Sequence, residues 1–167
     1  MVAASCSYKV EPLRSPPPPW IRDAGVVEGA AAVAYLREHA AELNIDTSRV
    51  ANGGGSAGGY VAAGAAFVPL GVGGPGGAGC PDLSVLFNPG TGAGAPRPGR
   101  PDVAPTTPAK HVASGGPATI VFHGEADTTV RAVRRPGPGR DPLPLFANLT
   151  SRPHGRCLSR RRRRTAT

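Results

Sequence analysis

Apolar positions recur in two distinct periods along this chain. Val26, Ala30, Val33, Leu36, Ala40 and Leu43 return at steps of three and four residues, which predicts one buried face of an amphipathic helix. Asp23 stands where an N-cap would, and Asn44 to Ser48 supply turn-forming residues to stop the helix. Arg37, Glu38 and Glu42 fall off the apolar stripe and read as solvated, as does His39. Arg49 to Asn52 reads as a short strand. Tyr60 to Val68 is an alanine-rich helix ended by Pro69, and Asp82 to Phe87 is a second strand closed by Asn88-Pro89-Gly90. Ala118 to His123 is the clearest strand, apolar enough to suit burial on both faces of a parallel sheet. The order helix, strand, helix, strand, loop, strand predicts an α/β architecture, a mostly parallel sheet flanked by helices.

Composition restricts how much of the chain this architecture can use. Gly and Pro account for 44 of the 167 residues, a proportion that favours irregular segments. Residues 1–22 are irregular around the polyproline run Pro16 to Pro19, which reads as a rigid connector. Gly71 to Gly79 and Thr91 to Thr107 read as loop. The charge divides sharply. Residues 1–130 carry eight Lys/Arg against ten Asp/Glu, whereas residues 131–167 carry eleven Arg and one Asp. The basic excess therefore belongs to the tail, and the chain reads as three parts: an N-terminal segment 1–22, a core 23–130, and an Arg/Pro/Gly-rich tail 131–167 expected to be disordered.

Cys6, Cys80 and Cys157 are too few and too far apart for a disulfide framework or a metal spacing. Met1 to Val10 has no apolar leader core, and no run of about 20 apolar residues would span a membrane. The Asn148-Leu149-Thr150 sequon would matter only in a secreted chain.

The chemistry concentrates in Gly54-x-Ser56-x-Gly58, set between a strand-like and a helix-like run. A serine on such a turn is lifted out of the sheet, and the glycines keep bulky groups away from the adjoining strand and helix. The five letters alone also describe a flexible glycine loop; it is their flanks that favour the turn. The third strand leads into His123-Gly124-Glu125-Ala126-Asp127, so Asp127 would lie just beyond a strand's carboxyl end, where α/β sheets build their sites. As an isolated residue, Asp127 reads more readily as an ordinary turn carboxylate than as a catalytic acid.

Taken together these residues resemble the α/β-hydrolase esterases, the carboxylesterase and acetyl-esterase-like group. The resemblance rests on Asp23-Ala24, on Ile45-Asp46-Thr47-Ser48-Arg49-Val50, on the Gly53 to Gly59 elbow, on Leu86-Phe87-Asn88-Pro89 and on Pro117 to Val130, in order over roughly residues 20–130. It implies a partial α/β-hydrolase fold and a serine carboxylic-ester hydrolase acting through an acyl-enzyme on small esters, with acetyl esters as candidates. In that scheme Ser56 is the nucleophile, Asp127 the triad acid, and the backbone N–H of Ala57 part of an oxyanion hole. No cofactor or metal is implied.

The chain departs from the family at two places. No His-Gly-Gly-Gly oxyanion motif occurs among residues 1–55. His154 is the one histidine after Asp127, and its following glycine is similar to the family's late histidine, which makes it the candidate base. It sits in the basic tail with no evident strand before it or helix after it. The text after about Val130 reads as unrelated to a hydrolase, as a shifted reading frame of GC-rich DNA would write it. Other frames lacking a helix, a strand and a His-Gly would contradict that origin. Two other functions are therefore carried forward. One is a catalytically inactive hydrolase fragment. The other, least supported, is nucleic-acid binding through Arg160 to Arg164, which lack interleaved aromatic residues.

Overall fold

A computed structural model of the chain describes residues 1–9, 19–90, 106–112, 116–124, 126–130 and 156–160. Helix α1 (Pro19–Glu38) is followed by a single turn, α2 (Ala40–Leu43), strand β1 (Ala51–Gly55), helix α3 (Ser56–Phe67), strand β2 (Leu83–Phe87), a short helix α4 (Pro108–His111), and strands β3 (Ala118–Gly124) and β4 (Arg156–Arg160). All strand pairs are parallel, in the order β1-β2-β3-β4.

Helix α1 begins four residues before the expected cap. Pro19 suits the first helical position because its missing N–H would have no partner there. Asp23 therefore lies inside the helix, and its carboxylate accepts a hydrogen bond from Thr106 Oγ1. Val26, Ala30, Val33 and Ala40 of the apolar stripe are buried, while Leu43 at its end is exposed. The stop at Asn44 is as expected. Asn44 takes the left-handed conformation with φ 55°, and its N–H returns to Ala40 O.

Arg37 has a role the stripe did not suggest. Its guanidinium donates to Thr47 O, Ala78 O, Cys80 O and Asp82 Oδ2, at 3.3, 3.0, 2.6 and 2.9 Å. Asp82 Oδ2 also accepts Val50 N–H at 2.8 Å. One side chain thus ties the end of α1 to the segments entering β1 and β2.

Helix α3 lies between α1 and the sheet. Ala62, Ala63, Ala66 and Phe67 pack on Leu86 of β2, Val121 of β3, and Ala109 and Val112. On its other side Val26, Tyr60 and Val68 form a second cluster with Leu70. Small residues let the helices approach: a Cβ on Gly64 would come within 2.3 Å of Val26 Cγ2. Alanine contributes little area per residue, so close packing makes up for small side chains.

β3 is not buried on both faces as its composition suggested. Thr119, Val121 and His123 face α3 and are buried, whereas Ala118, Phe122 and Gly124 on the opposite face are exposed. Phe122 stacks on the neighbouring, equally outward-facing Phe87 with ring centroids 5.1 Å apart. The physical reason is one-sided cover: α3 and α4 both pack on the same face of the sheet.

Of the tail, only Arg156–Arg160 is described. Its backbone is a strand, not irregular chain, and it pairs with β3 from Ile120↔Arg156 to Gly124↔Arg160. Pro16, Pro17 and Pro18, the sequon at Asn148, and His154 lie outside the described residues.

Candidate active site

β1 runs through the three glycines instead of stopping at Asn52, and α3 starts directly at Ser56 instead of at Tyr60. Glycine is a poor strand former, and it is the ladder to β2, Ala51↔Leu83 through Gly55↔Phe87, that overrides the local preference. Asn52 locks this strand from within. Its Nδ2 donates to Ala62 O at 2.9 Å, and its Oδ1 accepts Ser84 Oγ–H at 2.7 Å, so β1, α3 and β2 share one satisfied polar group.

The strand-to-helix turn is strained at the residue the sequence singled out. Ser56 has φ 49°, in the left-handed region that non-glycine residues seldom enter. Such strain persists only where the surroundings over-determine it. Gly54 supplies part of that constraint, because a Cβ there would lie 2.5 Å from Gly58 C and 2.6 Å from Gly58 O. Gly59 supplies more, since its Cβ would meet Pro89 Cα at 2.8 Å. Gly58 differs from the expectation that every glycine of the motif avoids a collision: nothing lies within 4 Å of a Cβ there. The loop after β2 closes over the turn, Gly90 N–H donating to Ser56 O at 2.9 Å.

Ser56 is exposed and stands at the first position of a 12-residue helix that has no charged side chain. The first-turn N–H groups, Ala57 among them, have no intrahelical acceptor and carry the positive end of the helix dipole. That is a suitable place for a developing oxyanion.

Asp127 occupies a tight turn just past β3. Its Oδ1 accepts the N–H groups of Thr129 and Val130, both at 2.9 Å, and its own N–H donates to Gly124 O at 3.1 Å. Gly55, Phe87 and Phe122 are level in the sheet. Ser56 and Asp127 therefore both follow the carboxyl end of a strand, with β2 between their strands.

The histidines are scattered. His39 stacks on Tyr35 and pairs with Glu42 Oε2 at 3.3 Å on the helical surface, in keeping with its solvated reading. His111 ends α4. His123 is buried beneath the Asp127 turn, its Nε2 2.7 Å from Val130 O and 3.8 Å from Asp127 Oδ2. The sequence marked it only as a strand end. A histidine closing a buried, alternating strand directly before an Asp turn was the available signal. β4 begins at Arg156, level with Ile120 and Gly53, and His154, the candidate base, lies outside the described residues.

A parallel sheet covered by helices, with a strand-to-helix turn at Ser56, has the architecture of the α/β-hydrolase fold. Comparison with known proteins agrees. The BD-FAE family model, an esterase-associated α/β-hydrolase family, matches residues 2–69. Among solved structures, the apo form of Thermogutta terrifontis esterase 2 matches with 26% identity and a TM-score of 0.61, over 83% of this chain and 53% of that one. The butyrate-bound form of this thermophilic esterase from a Planctomycetes species matches with 28% identity and a TM-score of 0.59, over 82% and 53%. The form phosphorylated by paraoxon matches with 26% identity and a TM-score of 0.61, over 83% and 51%. No curated protein matches the chain. The chain spans about half the length of the esterase chains it resembles. Its fold is that of the α/β-hydrolase esterases it resembles.

Proposed function

We propose that the protein is a carboxylic-ester hydrolase that turns over small esters through an acyl-enzyme on Ser56. The observation that carries this reading is the φ of 49° at Ser56 in a turn held by Gly54, Gly59 and Gly90. Strain of this kind clusters at active sites. Ser56 Oγ attacks the ester carbonyl carbon while a histidine removes its proton. The Ala57 N–H donates to the oxyanion that forms. The C–O bond to the alcohol breaks, the alcohol leaves with the histidine's proton, and water repeats the sequence to release the acid. Asp127 orients the histidine. With Oδ1 engaged by two backbone amides, Oδ2 is the oxygen that would receive the histidine N–H. His154 is assigned as that histidine.

The ligands of the T. terrifontis enzyme support a small acyl group. Its structures include butyrate- and propionate-bound forms and forms phosphorylated by paraoxon and phosphonylated by sarin. Acetyl, propionyl and butyryl esters are therefore the substrates of choice. Hydrolysis of the p-nitrophenyl esters of these acids by the protein and by Ser56→Ala tests the reading. Loss of a triad member costs about 10⁶, and lack of one oxyanion donor lowers the starting rate by about 10²–10³. The expected ratio is thus about 10³–10⁴. Equal rates with all three esters would reject it.

A second reading, a hydrolase fold that acylates without turnover, is favoured by one observation. The described histidines, His39, His111 and His123, all precede Asp127 in the chain, whereas a triad histidine comes last in this fold. It predicts labelling of Ser56 by an organophosphate with no steady-state hydrolysis.

A further inference from the structure

We infer that His123 is a positioning residue for the acid, a buried clip that holds the Asp127 turn and leaves Oδ2 as its working oxygen. The inference rests on Asp127 being the triad acid. His123 is the last buried residue of β3, and its side chain is 2% exposed. A carbonyl can only accept, so the 2.7 Å contact with Val130 O requires a proton on Nε2. That bond spans the turn from its base, the end of β3, to its last residue. Asp127 fills the space between. Oδ1 draws in the N–H groups of Thr129 and Val130, and Val130 is thereby gripped from both sides: its N–H by Asp127 and its carbonyl by His123.

Two consequences follow for the chemistry. His123 cannot be the general base, because the nitrogen nearest the acid is a committed donor and the ring is shielded from substrate. The same ring acts on the carboxylate through Val130, whose carbonyl it holds and whose N–H engages Oδ1. Oδ2, 3.8 Å from His123 Nε2, is beyond hydrogen-bond reach of it and remains available to a separate histidine. A triad acid works only if its free oxygen is aimed, and here the aim comes from a second histidine that never touches substrate.

The test uses the full chain and two measurements. In ring-¹⁵N NMR of the wild-type protein at pH 8, His123 should show the neutral tautomer protonated at Nε2. A tautomer protonated at Nδ1 alone would overturn the assignment without any variant. Amide exchange should then accelerate at Thr129 and Val130 by about tenfold or more in His123→Leu, and recover in His123→Gln, whose side-chain N–H can replace the donor. Amides of Leu86 and Ala63 serve as controls for the core. Unchanged exchange at Thr129 and Val130 in His123→Leu would overturn the proposal, as would failure of His123→Gln to recover it in a protein whose core amides stay protected. Organophosphate labelling of Ser56, run in parallel, separates this outcome from failure of the esterase reading. A wild-type protein that does not label, yet has the Nε2–H tautomer and the exchange pattern, keeps the clip and loses the catalytic role of the turn it holds.

Discussion

The turn at Ser56 and the turn at Asp127 stand at the same end of one sheet and are built by opposite means. The serine turn is specified by atoms that are missing: Gly54 and Gly59 leave room where Gly58 and Pro89 press in. The aspartate turn is specified by polar atoms that are present, two amides on Oδ1 and an imidazole on the Val130 carbonyl. Steric constraint can hold a non-glycine residue at positive φ without using the hydroxyl that must react. Polar constraint can aim a carboxylate, at the cost of occupying one of its oxygens. Each device leaves free the atom the proposed chemistry needs.

The sharpest way to separate the two turns is at Asp127. In Asp127→Asn the amide oxygen can still accept from Thr129 and Val130, so the turn should persist and thermal stability should change little. Ester hydrolysis should fall by a factor approaching, and not exceeding, that of Ser56→Ala, because the triad histidine is left in the wrong tautomer. Asp127→Ala should lose the turn as well. Equal melting temperatures for the two variants would mean that the Oδ1 bonds do not hold the turn.

The glycines give the next largest effect, read in thermal or urea unfolding. Gly54→Ala forces a methyl into backbone atoms that cannot swing aside, and should destabilise by about 3 kcal/mol or more. Gly58→Ala meets open space in a helix and should stabilise by roughly 0.5–1 kcal/mol. The comparison breaks if both substitutions cost the same. Ser56→Gly should relieve backbone strain and stabilise by about 1 kcal/mol while ending any labelling at this position.

The smallest effect lies away from the site, in the turn that leads into β1. Asp46 accepts Ser48 N–H and Oγ–H and pairs with Arg49 Nε. The Ser48 hydrogen bonds first, then those of Arg49, lower its pKa from 3.8 to about 2. A depressed folded-state pKa stabilises above the unfolded value, and that stabilisation is lost as pH falls. The contribution should be complete above pH 4 and fade towards pH 2. The Asp46 carboxyl ¹³C shift should titrate near 2, and a midpoint near 3.8 would show the turn to be open in solution. The group is fully exposed, so its effect on stability should be slight.

The serine turn was legible in the sequence because glycine has few uses in a row between a strand and a helix. Its extent was not legible. A local reading ends the strand at Asn52, since only the β2 partner makes Gly53 to Gly55 extended. Asp127 was legible through its place after an apolar strand. His123 was not, because its role depends on a carbonyl seven residues on that carries no side-chain signature. The outward pair Phe87 and Phe122 shows the same limit from the other side. Apolar composition predicts burial, but which face is covered depends on where the helices lie. Arg37 looked like a solvated charge for want of any local sign that three carbonyls and Asp82 would converge on it. The strand at Arg156–Arg160 has no apolar alternation to announce it, and it appears only as a partner for β3.

The central claim is that Ser56 is a nucleophile, and its most direct test is intact-protein mass spectrometry after exposure to paraoxon, followed by peptide mapping. One diethylphosphoryl group per chain on the peptide containing Ser56, absent from Ser56→Ala, is the predicted result. A folded wild-type protein that gains no adduct, or gains it equally in Ser56→Ala, would contradict the account.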